Sequence, residues 1–329
     1  MVFLHGLTVG PTSGSPMLLK RQRMKKIAFI YNSDIRNNGT PTLCFNSVKY
    51  QLGLSNDVIR LTTPFAAPQE LPKAEFYIHI DDGRDDLKWE APENSAYYAI
   101  DTHLGYDFRK EKAKQFKYVY CAQKEGAERM RDDGIPQALW LPLACNHMAH
   151  PNLSELMNHP GKETILGPWS LDKEWDVGFV GFLGRSPEED RNCRVEWLDY
   201  LFGEFSNSWF ASDCFFENMS IRYIRSRVGY NISIKNDLNM RFFEVMSSGT
   251  CLLTNTTVDG VHDLGFEEGV DFLGYATKDE MIDKVQWALD NPMEREAIAK
   301  SGHEKCRKFH TYELRMKKII ENAGIKLAA

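Results

Sequence analysis

The sequence predicts an α/β protein made of two doubly wound domains, and three observations predict it. Short apolar runs alternate with helical stretches in two successive series. Those runs are apolar almost throughout instead of at every second residue, as strands of a parallel sheet covered on both faces must be. A stretch rich in Pro, Gly, Asn and His separates the two series, and 329 residues are too many for one ordinary core.

Taken in order, residues 1–23 hold a weak apolar segment followed by the basic cluster KRQRMKK, the reverse of a signal-peptide order, so they are expected to form a disordered extension. Met24 directly precedes the first convincing strand. Residues 24–168 form the expected N-terminal Rossmann-like domain with its linker: the strand KKIAFIYN, the helix TLCFNSVKYQLG, the strands DVIRLT, EFYIHID, SAYYAID and KYVYCA, the helix QKEGAERMRDDG, and the strand ALWLP. After Pro142 the pattern dissolves into the interdomain connection.

Residues 169–309 repeat the alternation through DVGFVGFLG, a charged helix from Pro187 to Glu204, SWFASDC, a helix around Ser220, VGYNIS, the helix holding Glu244, TCLLTN and VDFLGYA. Two helical stretches, KDEMIDKVQWALD and MEREAIAKSGHEKCRKF, follow. Residues 310–329 form a last helix, amphipathic through Leu314, Ile319 and Ile320, expected to pack back toward the N-terminal domain.

Composition excludes several classes. The net charge of −6 gives no general drive toward nucleic acid or anionic membrane, which favours small anionic ligands over long polyanions. Aromatic residues do not alternate with a basic tract, so no stacking platform for single strands is predicted. The seven cysteines are odd in number, spread out and without a C-x-x-C, which points to reduced core thiols and a cytoplasmic location. No apolar run reaches the length of a membrane span. His147 and His150 lie in the linker without a third ligand, so zinc is not expected. Asp81, Asp82, Asp85 and Asp86 are expected to form a solvated acidic loop.

The stretch NISIKNDLNMRFFEVMSSGTCLLTN carries the most information. It reads as strand, polar loop, short helix, glycine stop and second strand. Asp237 and Asn239 are both placed to cap the helix, expected to start at Leu238; Leu238, Phe242, Val245 and Met246 recur at helical spacing; and Gly249 suits a left-handed stop. Glu244 lies inside this helix beside the apolar stripe.

Together with AIDTHLGYDFR, WLPLACNHMAH, DVGFVGFLGR and IAKSGHEKCRKFHTYELRM, this stretch resembles GT-B glycosyltransferases and, more narrowly, the spore-maturation-type (CgeB-like) family, over roughly Lys25 to the C terminus. The resemblance implies two domains facing across a cleft, a sugar nucleotide held mainly by the C-terminal domain, and an acceptor on the N-terminal side. A carboxylate at Glu244 suits two vicinal ribose hydroxyls through charge-assisted hydrogen bonds, and a helix N terminus suits phosphate oxygens. Asn236, Asn239 and Gly249 belong to the same donor-binding unit. The chain departs from the best-known retaining pattern, because the position eight before Glu244 is Asn236 and the nearest acid, Asp237, is one step out of phase. Retention is expected over inversion.

Arg185 follows the turn FVGFLG at the carboxyl end of a strand, where it either neutralises a leaving diphosphate or pairs with Glu188 or Asp190; the resemblance favours the phosphate. Arg241 either pairs with Glu244 three residues on or serves the donor. Asp101 and His103 come directly after an apolar strand: a base or orienting pair for the reacting sugar or acceptor, or else a turn cap and an interface histidine. Gly39 and Thr40 open a helix on the acceptor side.

The expected function is transfer of a sugar from a UDP- or dTDP-type donor to a hydroxyl acceptor, without metal or cofactor. Asp101, His103 and Asp237 are its catalytic candidates. Glycan, lipid carrier, protein, metabolite and modified DNA base remain open as acceptors. An epimerase of the same fold, or a catalytically silent nucleotide-sugar-binding protein, is the alternative.

Overall fold

Strand β1 (Ile27–Tyr31) is buried at all five positions, which only a strand covered on both faces allows. It is the second strand of a six-stranded parallel sheet with β2 (Val58–Thr62), β3 (Phe76–Ile80), β4 (Ser95–Ala99), β5 (Tyr118–Cys121) and β6 (Ala138–Trp140), in the order β2-β1-β3-β4-β5-β6. The computed structural model describes residues 26–31, 39–54, 58–62, 71–81, 83, 90–162, 172–181 and 189–327. The extension 1–23 and Arg185 lie outside the described residues.

A second parallel sheet holds β7 (Trp175–Val180), β8 (Ser208–Ala211), β9 (Ser226–Tyr230), β10 (Cys251–Asn255) and β11 (Leu273–Tyr275), in the order β11-β10-β9-β7-β8. In each sheet the order reverses beside the first strand, at β1/β3 and β7/β9. Ligands of doubly wound folds bind at the carboxyl ends of strands at such switch points.

The helices are α1 (Thr40–Asn46), α2 (Tyr106–Ala113), α3 (Lys124–Asp132), α4 (Leu153–Asn158), α5 (Glu189–Glu204), α6 (Phe216–Ile224), α7 (Met240–Ser247), α8 (Lys278–Asp290), α9 (Pro292–Phe309) and α10 (Tyr312–Asn322). Helix α1 starts with Pro41 in its first turn, where the missing N–H costs nothing, and runs on into a π-helical turn, Ser47–Gln51.

The connection between the domains is packed structure. Its helix α4 carries a capping box: Glu155 N donates to Asn152 Oδ1 (2.9 Å), and Asn152 N donates to Glu155 Oε2 (2.8 Å). Asn146 donates to Ser47 Oγ (2.9 Å) on one side, while Ser247 Oγ donates to the His150 carbonyl (2.7 Å) on the other. The linker is thereby tied to both domains.

The C-terminal helices pack on both domains, α9 on its own domain and α10 on the N-terminal one. The α9 backbone at Gly302 approaches the Asp271 carbonyl so closely that a Cβ would collide with it. In α10, Arg315 Nε donates to the Pro142 carbonyl (2.9 Å), Asn322 donates to the Tyr120 hydroxyl (3.1 Å), and the Tyr312 hydroxyl lies 3.1 Å from Thr40 Oγ1. The buried face of α10 is Tyr312, Arg315, Met316, Ile319 and Ile320; Leu314, expected on that face, is 37% exposed.

Cys44, Cys121, Cys145, Cys251 and Cys306 are buried and free, in keeping with core thiols. Among the described residues no helix is long and apolar enough to cross a membrane.

Candidate active site

Helix α7 is built as its sequence demands, but starts at Met240, two residues later than expected. Asn239 is the N-cap, its Oδ1 accepting from Phe242 N (3.2 Å), and Gly249 takes a φ of +78° just past the end. Asp237 does not cap it. The loop before α7 turns sharply, with Lys235 (φ 49°) and Asn236 (φ 58°) both left-handed, which costs energy for side chains other than Gly and aims Asp237 away from the helix.

Asp237 instead faces the N-terminal domain. Gln123 Nε2 donates to Asp237 Oδ1 (2.9 Å), while Gln123 Oε1 accepts from both the backbone N–H and the hydroxyl of Thr102 (3.0 Å each). The residue before Thr102 is Asp101, also left-handed (φ 56°), two residues past the end of β4. Asp101, His103 and Asp237 thus offer one ligand atom each within 4.8 Å of one another, across the two domains. Two carboxylates and an imidazole at this spacing also suit a divalent cation.

The pairing has an electrostatic consequence. Burial pushes the Asp237 carboxyl up to about 7; the Gln123 hydrogen bond opposes this and the charge of Asp101 adds to it. Asp237 therefore holds its proton up to about neutral pH.

A cavity of about 580 Å³ opens beside this cluster, lined from the N-terminal domain by His103, Gln123 and Trp140, and from the C-terminal domain by Asn236, Asp237 and Gly260. Lys124 on α3 bridges to Asp263 (2.7 Å) across the domains. A smaller cavity of about 210 Å³, lined by Arg194, Trp197, Asn255 and Tyr275, shares Lys235 and Asn236 with it.

The other α7 residues gather elsewhere. Arg241 reaches the end of β7, where its Nε donates to the Val180 carbonyl, its Nη1 donates to Asn231 Oδ1 (3.0 Å), and the guanidinium stacks on Phe179, 4.4 Å from the ring centroid. It forms no ion pair with Glu244 among the described contacts. Glu244 is buried, with His150 Nε2 3.5 Å from its Oε1, and it lies outside both cavities. Thr40 is buried too, its hydroxyl held between Tyr312 and the Met240 sulfur (3.5 Å), and Gly39 is the N-cap of α1. Thr40 thus joins the domains, and neither residue lines the cavity at Asp237.

The acidic cluster after β3 needs correction at Asp81. That carboxylate is 3% exposed, bonded by Arg109 Nε, Gly83 N (2.8 Å) and Ile100 N (3.1 Å), and so stabilises the loop ends instead of facing solvent. Asp82, Asp85 and Asp86 lie outside the described residues.

Three residues went unnoticed as site members. Gln123 had no visible signal, because a Gln at a helix start is ordinary. Asn231 follows β9 and accepts from both Arg241 and Asn239 (3.0 Å each); its place at a strand's carboxyl end was the available clue. His150 sits in a linker rich in Pro and Asn, where no local pattern pairs it with the distant Glu244.

Residues 178–321 match the model of a glycosyl transferase-like family. No curated protein sequence matches the chain. Among solved structures, sucrose-phosphate synthase from Thermosynechococcus elongatus is similar with a TM-score of 0.58 at 12% identity, over 91% of this chain and 98% of that one. HepE of Anabaena, in complex with UDP-glucose, gives 0.59 at 10% identity, over 91% and 99%. The T4 phage enzyme BGT, in complex with UDP and Mn2+, gives 0.54 at 13% identity, over 91% and 99%. The fold is therefore the two-domain GT-B fold, and its C-terminal half is similar to a glycosyl transferase-like family.

Proposed function

We propose that this chain transfers a sugar from a nucleoside-diphosphate donor of the UDP type to a hydroxyl acceptor in the cleft between its domains. The observation that carries this reading is the meeting of Asp101 and His103 from one domain with Asp237 from the other beside a cavity. The two facing domains bring these groups, far apart in sequence, to one reacting centre. The structural neighbours bound to UDP or UDP-glucose, and the glycosyl transferase-like family of the C-terminal half, support the donor class.

In this reading Asp101 is the base for the acceptor hydroxyl, and His103 orients the reacting sugar. Asp237 carries a proton that keeps the two facing carboxylates compatible, and the transfer runs without a bound metal. Arg241 and the α7 N terminus serve the diphosphate, and Glu244 the ribose. A positioned base supports direct displacement, and Asn236 offers no carboxylate where the retaining pattern has one. We therefore favour inversion over the retention suggested by the resemblance.

The test is acceptor-dependent UDP release from a panel of UDP-sugars, with NMR of the product's anomeric configuration. Asp101→Asn should cut the rate at least a hundredfold. Donor conversion without any acceptor would favour an epimerase, and tight donor binding without turnover a silent binding protein.

A further inference from the structure

We propose that the 580 Å³ cavity beside His103 and Asp237 is the acceptor subsite, and that the acceptor it takes is an uncharged saccharide. The inference rests on the transferase reading above and adds the substrate class and the residue that recognises it.

The volume lies within the range of small-molecule sites, which take up most of a ligand's surface. Its lining combines an indole with many hydrogen-bonding side chains, the mixture a sugar ring requires: apolar C–H groups on its faces and hydroxyls around its edge. Trp140 is held for such a role. Its Nε1 donates to the Ala122 carbonyl (3.1 Å), which fixes the ring at the end of β6. Gly260 packs against it from the other domain with φ +82°, where a Cβ would stand 2.7 Å from Trp140 Cζ2. The indole is therefore gripped on that side while still lining the cavity.

Charge selects against a polyanion. Glu125, Glu128 and Asp259 face the same space as Arg129 and Lys235, while Lys124 is engaged with Asp263. Nucleic-acid affinity comes from cations that neutralise successive phosphates, and in this cavity carboxylates outnumber them. Carboxylates and amides are, in contrast, good acceptors for sugar hydroxyls. The chain's net charge of −6 works in the same direction.

The transfer then balances as follows. The saccharide hydroxyl oxygen bonds to the anomeric carbon of the donor sugar. The bond from that carbon to the β-phosphate oxygen breaks, its electron pair leaving with the nucleoside diphosphate, and the hydroxyl proton passes to the Asp101 carboxylate.

The experiment measures UDP release from the full chain with UDP-glucose, using neutral disaccharides such as maltose and cellobiose or duplex DNA containing 5-hydroxymethylcytosine as acceptors. Turnover with a disaccharide is expected. Trp140→Ala should raise the disaccharide KM about tenfold more than the donor KM, the scale of one lost aromatic contact, and Trp140→Phe should recover part of it. Saturation-transfer NMR of a disaccharide with the unaltered chain, in the presence of UDP, gives a second readout if Trp140→Ala fails to fold. Turnover with the DNA alone overturns the saccharide, and a Trp140→Phe effect confined to the donor KM overturns the subsite. Either leaves the transferase reading standing, whereas no donor turnover or binding with any acceptor removes both.

Discussion

The His150 imidazole, in the segment joining the domains, lies 3.5 Å from the Glu244 carboxylate in the middle of α7, and both side chains are buried. Burial, with the charge of Arg307 adding to it, pushes the His150 pKa down to about 3, so the ring is neutral in ordinary buffers. Burial likewise pushes Glu244 up to about 7, with the charge of Arg241 opposing. The contact is thus a poised polar pair and not a strong salt bridge.

Glu244→Gln tests it. Between about 4.5 and about 7 the folded protein keeps a proton on Glu244 that the unfolded chain has lost, so this group lowers stability as pH rises through that window. His150 has the opposite slope below its usual 6.5. Gln has no titration, so the melting temperature of the variant relative to the parent should rise from pH 5 to pH 8 in thermal scans. If the carboxylate also serves the donor ribose, calorimetry should show donor binding weakened by about 1–3 kcal/mol. Normal donor affinity in the variant would make Glu244 purely a partner of the linker.

Asp237→Asn should reshape the pH–rate profile. With Asp237 raised to about 7, activity is expected to fall as pH climbs through neutrality, because both facing carboxylates are then charged. Asn holds the neutral form permanently. The variant should therefore lack that alkaline limb, with kcat changed more than donor KM; a limb that persists would assign it to another group.

Gly181→Ala probes the donor side without replacing an ionisable residue. A Cβ there would collide with the Arg241 guanidinium and stand 2.9 Å from Phe179 Cζ, so the arginine must leave its seat on Val180 and Asn231. Donor affinity is expected to drop about tenfold, the worth of one displaced charged contact. Equal affinity in titration calorimetry would take Arg241 out of the donor site.

Chelation decides how Asp101, His103 and Asp237 are balanced. Turnover should survive EDTA, since a proton on Asp237 and the arginine at β7 supply what a divalent ion supplies elsewhere. Loss of activity that Mn2+ restores would make the three side chains a metal site.

Gly302→Ala is a stability control remote from the chemistry. The added methyl would meet the Asp271 carbonyl, and overpacking backbone against backbone costs typically 1–3 kcal/mol. A lower melting temperature with donor KM unchanged is the expected result.

Local pattern was enough for the strands and for most helices, though not for α2 or for α4 in the connection. Apolar runs without alternation specified parallel strands, Asn239 and Gly249 marked the ends of α7, and the position of Asp101 and His103 just past β4 put them at a strand's carboxyl end. These features depend on neighbours a few residues away, where propensity and steric limits on φ act. Tertiary structure decided which side chains meet. Gln123 and Asp237 are 114 residues apart, and their bond exists only because the domains close on each other. The same long-range packing buried Glu244 under the linker histidine, sealed Asp81 beneath Arg109, and turned Leu314 outward although its spacing suited the inner face of α10. Periodicity assigns a residue to one side of its own helix or strand, but burial depends on what another element places against that side.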